Sequence, residues 1–94
     1  MVKIDAARRE VKIDGKFVHL APKEFDILTA LKNADGRVLS RQYILTTCWG
    51  PRFVKWDRRI VDTHIGRIRR QLKKFKAQGL IVTVNCHGYK FKRA

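Results

Sequence analysis

Residues 58–76 read Arg58-Arg59-Ile60-Val61-Asp62-Thr63-His64-Ile65-Gly66-Arg67-Ile68-Arg69-Arg70-Gln71-Leu72-Lys73-Lys74-Phe75-Lys76. Val61, Ile65, Ile68, Leu72 and Phe75 recur at spacings of four, three, four and three. They therefore share one side of a helix with about 3.6 residues per turn, a side that has to be packed. The same periodicity turns Arg59, Thr63, Gly66, Arg67 and Arg70 toward water, where guanidinium forks can face phosphates or guanine edges.

The charge is concentrated as well as large. Residues 52–76 hold ten basic and two acidic side chains, so more than half of the net +14 sits in about a quarter of the chain. Such a footprint points to a polyanion, with nucleic acid foremost. A basic amphipathic helix can also lie on a membrane or serve as a calmodulin-type target. A merely solvated face suits mixed charges better than this many of one sign.

Ninety-four residues, 45% of them apolar, predict one domain with a modest core. No apolar run approaches the roughly 20 residues of a membrane span, and Met1-Val2-Lys3-Ile4-Asp5 lacks the apolar stretch of a signal peptide. A cytoplasmic location is expected, with Cys48 and Cys86 as thiols.

Linkers, repeats and low-complexity stretches are not evident. Residues 9–13 alternate through Val11 and Ile13, Asp14-Gly15 is a two-residue hairpin signal, and residues 17–20 supply the returning strand. Pro22 opens a first helix carrying Phe25, Ile27, Leu28 and Leu31, which ends near residues 33–36. Ser40 is the expected N-cap of a second helix bearing Ile44, Leu45, Cys48 and Trp49, stopped by Gly50-Pro51, although no Glu or Gln completes a capping box. The basic helix follows and is expected to close at Gly79. Residues 81–84 and 89–91, joined by Asn85, Cys86, His87 and Gly88, read as a hairpin. The order predicts an α+β winged helix-turn-helix: an N-terminal antiparallel sheet, three helices and a C-terminal β-hairpin wing, with the third helix in the major groove.

Five blocks carry a family resemblance. Leu20-Ala21-Pro22-Lys23-Glu24-Phe25-Asp26-Ile27-Leu28, Gly36-Arg37-Val38-Leu39-Ser40-Arg41, Trp49-Gly50, Val61-Asp62-Thr63-His64-Ile65 with Arg67-Ile68-Arg69-Arg70-Gln71-Leu72, and Thr83-Val84 with Gly88-Tyr89-Lys90-Phe91 resemble the DNA-binding domain of OmpR/PhoB-type response regulators. The resemblance covers nearly the whole chain. It implies a transcription-factor domain that binds double-stranded DNA at promoter direct repeats, as a head-to-tail dimer. It also implies contact with RNA polymerase through the loop between the second and third helices, here Arg52, Phe53, Lys55 and Trp56.

Carried over residue by residue, Thr63 and Arg67 stand where the family reads bases, and Arg59, His64, Arg69, Arg70 and Lys74 where it grips the backbone. Asn85, His87 and Tyr89 belong to the wing. The chemistry agrees for arginine, which offers two donors to guanine O6 and N7, and for the Thr63 methyl, which can meet a thymine methyl. His64 flanks the apolar face, so a packed neutral imidazole competes with a phosphate contact. Asp62 is expected as a structural partner near a helix N-terminus, where negative charge is favoured.

The chain also departs from the family. Asn85 and Cys86 replace the frequent Arg-Gly of the wing tip, and Asn85 suits a left-handed turn position. Gly66 replaces a polar or basic residue, at a cost on the order of 1 kcal/mol relative to Ala, and opens space toward DNA. Ala21 stands where a Thr usually caps the first helix. A receiver domain with its phosphorylatable Asp is not in this sequence, which fits either an excised effector domain or a stand-alone regulator.

Catalysis finds little support. His19, His64 and His87 lack metal-ligand spacing, so neither metal nor other cofactor is expected. Cys48, on an apolar helical face, reads as an inert thiol, while Cys86 is a candidate for exposure and redox chemistry. Phe53 and Trp56 are either core plugs or an exposed patch. The readings rank as sequence-specific promoter binding, then a non-specific nucleoid or RNA-associated protein, then an enzyme.

Overall fold

In the computed structural model, which describes residues 2–92, the strands Val2–Asp5 (β1), Glu10–Ile13 (β2) and Lys16–Val18 (β3) form an antiparallel sheet in that order. The Asp14-Gly15 turn has φ of 50° and 81°, the paired positive values of a type I′ hairpin. It sets Ile13 opposite Lys16 and Val11 opposite Val18, so β2 and β3 bury the same face. β1 has no counterpart among the expected strands. Its apolar content is only Val2 and Ile4, too short a pattern to signal a strand, and what defines it is pairing with Ile13 and Val11 along the open edge of β2.

Pro22–Asn33 (α1), Arg41–Trp49 (α2) and Arg59–Lys73 (α3) are the helices. At α1 the side chain of Ala21 cannot cap, but Glu24 accepts from the Ala21 backbone N at 3.1 Å, so half of a capping box survives. Ser40 Oγ caps α2 by accepting from Tyr43 N at 3.0 Å. The basic helix ends earlier than expected, and Gly79 does not close it. Lys76 takes φ 57°. Ala77 N then bonds Leu72 O at 2.9 Å and Lys76 N bonds Lys73 O at 3.0 Å, the pair of bonds that defines a Schellman stop. Phe75 therefore lies beyond α3, in the closing turn, although it still packs on the core.

The helices meet over one apolar cluster. Ile27, Leu28 and Leu31 of α1, Ile44 and Leu45 of α2, and Val61, Ile65, Ile68 and Leu72 of α3 are all essentially inaccessible to water. Each such side chain contributes roughly 1.5–3 kcal/mol of transfer free energy. Val11, Ile13 and Val18 close the cluster from the sheet side and Ile81 and Tyr89 from the other.

Ile81–Val84 (β4) and Gly88–Phe91 (β5) form the C-terminal hairpin. It is stitched to the α1–α2 connection: Leu39 N donates to Tyr89 O at 2.8 Å and Tyr89 N to Leu39 O at 3.0 Å. Gly88 makes this possible. Its φ is 142°, and a Cβ there would fall 2.0 Å from Leu39 O, so only glycine fits.

Candidate nucleic-acid interface

The packing of α3 decides which of its cations are available. With Val61, Ile65, Ile68 and Leu72 buried, the opposite face exposes Thr63, Gly66, Arg67, Arg70, Lys73 and Lys74. Among the described residues the guanidinium groups of Arg67 and Arg70 have no protein hydrogen bond or ion pair. Thr63 and Lys74 face the same solvent, each with a local partner: Thr63 Oγ1 donates to Arg59 O at 3.2 Å and Lys74 Nζ to Gln71 Oε1 at 3.1 Å. Both partners lie on the helix itself, so neither contact removes its residue from the surface.

Arg59 is differently placed. Its side chain is 87% exposed but chelated by Asp57, with Nη2 at 2.6 Å and Nε at 2.9 Å from Oδ2. Asp57 Oδ1 also accepts from Arg59 N at 2.9 Å, so one carboxylate caps α3 and holds its first arginine. The bonds from Arg59 keep the Asp57 carboxyl below its ordinary pKa of 3.8. Any phosphate that takes Arg59 competes with this carboxylate.

Arg69 is half-buried and Tyr89 buried, and both are engaged within the protein. Arg69 Nη2 donates to Ile81 O at 2.8 Å and to Thr83 Oγ1 at 2.9 Å, fastening β4 to α3. Tyr89 is 4% exposed, and its hydroxyl donates to Asp62 Oδ1. Two guanidinium groups stand over its ring, Arg41 at 4.9 Å and Arg69 at 5.6 Å from the centroid, a cation–π arrangement on a shielded ring. Tyr89 lies in β5 of the wing hairpin, with its ring buried at the base of that hairpin. Its pKa is raised, first by burial and then by the bond to Asp62.

Asp62 is the structural partner expected of it, with partners that nothing local announces. Besides Tyr89 it accepts from Arg41 Nε at 2.7 Å, and that bond raises the Arg41 pKa further. Arg41 of α2, Asp62 of α3 and Tyr89 of β5 thus form one polar knot. Neither Arg41 nor the knot was legible from spacing.

His64 packs at the flank of the apolar face. It is half-buried, with Nδ1 2.9 Å from Ile60 O and its ring edge-on to Trp49 at 5.1 Å. At the wing tip Asn85, Cys86 and His87 are all exposed. The left-handed position, φ 65°, belongs to Cys86 and not to Asn85, which corrects the turn role expected of the asparagine. The other thiol, Cys48, is half-buried, and its pKa is pushed up to about 11, chiefly by burial, which makes it a poor nucleophile.

The α2–α3 connection divides its two aromatics. Pro51–Phe53 is a 3₁₀ turn that seats Phe53 against the core. Trp56 is 51% exposed and stands edge-on to Phe53 at 4.4 Å. Phe53 is the plug and Trp56 the exposed ring, flanked by Arg52, Val54 and Lys55 in solvent.

The described residues contain no group of three or more His, Cys, Asp or Glu placed to hold a metal ion. Within the same span no helix is long and apolar enough to cross a membrane.

Comparison with known proteins agrees with this geometry. The chain is 35% identical over 92 residues to the sensory transduction protein RegX3 of Mycolicibacterium smegmatis, covering 97% of this chain and 40% of that protein. It is 38% identical over 93 residues to the transcriptional regulatory protein ResD of Bacillus subtilis, covering 97% of this chain and 38% of that one. The chain thus spans about two fifths of the length of these curated relatives. Among solved structures it resembles the DNA-binding domain of Klebsiella pneumoniae RstA, in complex with the RstA box. That match has a TM-score of 0.82 and 32% identity, over 96% of this chain and 89% of that one. It also resembles the DNA-binding domain of CpxR from E. coli, with a TM-score of 0.84 and 28% identity over 99% and 91% of the two chains. Residues 15–91 match the family model described as transcriptional regulatory protein, C terminal, and the chain belongs to that family, the OmpR/PhoB-type winged-helix domains.

Proposed function

We propose that this domain binds double-stranded promoter DNA sequence-specifically, with α3 in the major groove and the wing beside the adjacent minor groove. The observation that carries the reading is the two-sidedness of α3. Its apolar face is fully buried, and its opposite face offers Arg67 and Arg70 with no protein partner among the described residues. Unpartnered guanidinium groups on a rigid helix are preorganised for guanine edges and phosphates. The RstA domain, at 32% identity, was solved in complex with the RstA box, which supports the same use of the fold here. In this reading Thr63 and Arg67 read bases, while Arg70 and Lys74 grip the backbone, joined by Arg59 once it leaves Asp57.

Two partners complete the proposal. A second copy bound head to tail would occupy the neighbouring direct repeat, and RNA polymerase would meet the residues 50–58 loop through Lys55 and Trp56. The relatives are longer than this chain, and control by a receiver domain is proposed for the whole protein on that ground.

Selection of bound sites from a random duplex pool, followed by titration at several salt concentrations, tests the reading. The expected result is a selected site preferred over random duplex by a factor of roughly 10³ to 10⁷. Affinity should also fall by about 0.9 logarithmic units per phosphate contact for each tenfold rise in salt. Equal binding to every duplex would favour a non-specific nucleoid-type protein instead.

A further inference from the structure

The exposed face of α3 has a gap at Gly66. Gly66 lies three residues after Thr63, one before Arg67 and four before Arg70, so it sits on the same exposed face, beside Thr63 and Arg70. Nothing internal to the fold requires a glycine there. A Cβ at Gly66 would have no neighbour within 4 Å, and its φ is not positive, whereas Gly15, Gly36, Gly50 and Gly88 all have positive φ. A mid-helix glycine weakens the helix relative to alanine, and the domain's own packing returns nothing for that loss.

Two geometric facts indicate what the gap is for. An α-helix with side chains is about 10–12 Å across and the major groove about 12 Å wide, so the side chains at the centre of the inserted face limit how deep the helix can go. Thr63, the neighbouring residue on that face, has a short side chain whose hydroxyl proton is donated to Arg59 O at 3.2 Å. Its oxygen keeps its acceptor lone pairs, and its methyl group acts only in direct contact.

We propose that Gly66 sets the depth at which α3 seats in the major groove, and that the bare strip it leaves beside the Thr63 methyl receives the 5-methyl group of a thymine next to the base read by Arg67. This rests on the major-groove reading above and adds a specificity determinant to it.

The test compares the unmodified domain with Gly66→Ala on the duplex selected by the unmodified domain and on random duplex. Gly66→Ala is expected to melt at a higher temperature, to lose roughly tenfold or more in affinity for the selected duplex, and to bind random duplex as before, because the phosphate grip is untouched. In parallel, thymines of the selected site are replaced one at a time by uracil, which deletes only the 5-methyl. One position should cost the unmodified domain about fourfold, the equivalent of one buried methyl group, and the Gly66→Ala variant should be insensitive there. Unchanged affinity of a folded Gly66→Ala protein for the selected duplex overturns the inference, as does indifference of the unmodified domain to every uracil. If the variant does not fold, the uracil series on the unmodified domain decides alone. An unmodified domain that selects no duplex at all overturns the major-groove reading itself, a result distinct from either of these.

Discussion

Tyr89 of β5 and Asp62 of α3, 27 residues apart in sequence, share a hydrogen bond in which the buried phenol donates to the carboxylate. Because the same carboxylate holds Arg41, the wing cannot tilt relative to α3 without breaking this bond, and the presentation of both DNA-facing elements depends on it. Tyr89→Phe keeps the ring beside Arg41 and Arg69 and removes only the hydroxyl. The expected loss is about 1.5–3 kcal/mol, the range for a hydrogen bond to a charged group, measured by urea denaturation at neutral pH. The pH dependence follows from the raised Tyr89 pKa. The phenol ionises more readily in the unfolded chain, so its stabilisation is complete below the ordinary value of 10.0 and lost as pH rises through the folded value. Wild type should therefore lose stability more steeply above pH 10 than Tyr89→Phe. Parallel curves would remove Tyr89 from this role.

Arg67 and Arg70 are both exposed and, among the described residues, unpartnered, yet they should behave differently on DNA. Arg67→Ala is expected to cost about 1–3 kcal/mol and to relax preference at one or two base pairs. Arg70→Ala should weaken all sequences alike and lower the salt slope by about one. Titrations of both variants on matched and mutated duplexes check this, and identical, sequence-independent losses would take Arg67 out of base reading.

Because Phe53 rather than Trp56 plugs the core, the double substitution Lys55→Ala with Trp56→Ala should leave thermal stability within about 0.5 kcal/mol, as for surface changes elsewhere. Promoter affinity should stay close to wild type while transcription activation falls. Loss of stability and DNA binding together would mean that Trp56 is structural.

At the wing tip a short neutral Asn85 is exposed. Asn85→Arg should tighten binding to sites with an A·T-rich flank, where a narrow minor groove attracts cations, and steepen the salt slope by up to about one unit. The turn itself should tolerate the change, since the left-handed position is Cys86. An unchanged affinity and slope in a folded variant would show that the tip stays clear of the minor groove.

Much of the fold was legible because its signals are local. The four-three spacing of Val61, Ile65, Ile68 and Leu72, the Pro22 start, the Ser40 cap and the Asp14-Gly15 turn each involve residues within a few positions of one another. Backbone geometry alone translates them into helix faces, caps and a hairpin. The exposed arginines of α3 follow from the same periodicity once its opposite face is assigned to the core. The rest depends on partners far apart in the chain. Arg41 meets Asp62 across 21 residues and Arg69 meets Thr83 across 14, and no local pattern encodes either pairing. Tyr89 of the wing turns inward because Asp62, 27 residues away, offers its hydroxyl an acceptor. β1 exists because β2 has an edge to pair. The sequence by itself thus determined which helix faces outward and with what charge. Only the tertiary structure decided which of those charges are already spent holding the wing in place, because a guanidinium with a nearby carbonyl or carboxylate is a strut and the same group without one is free to bind.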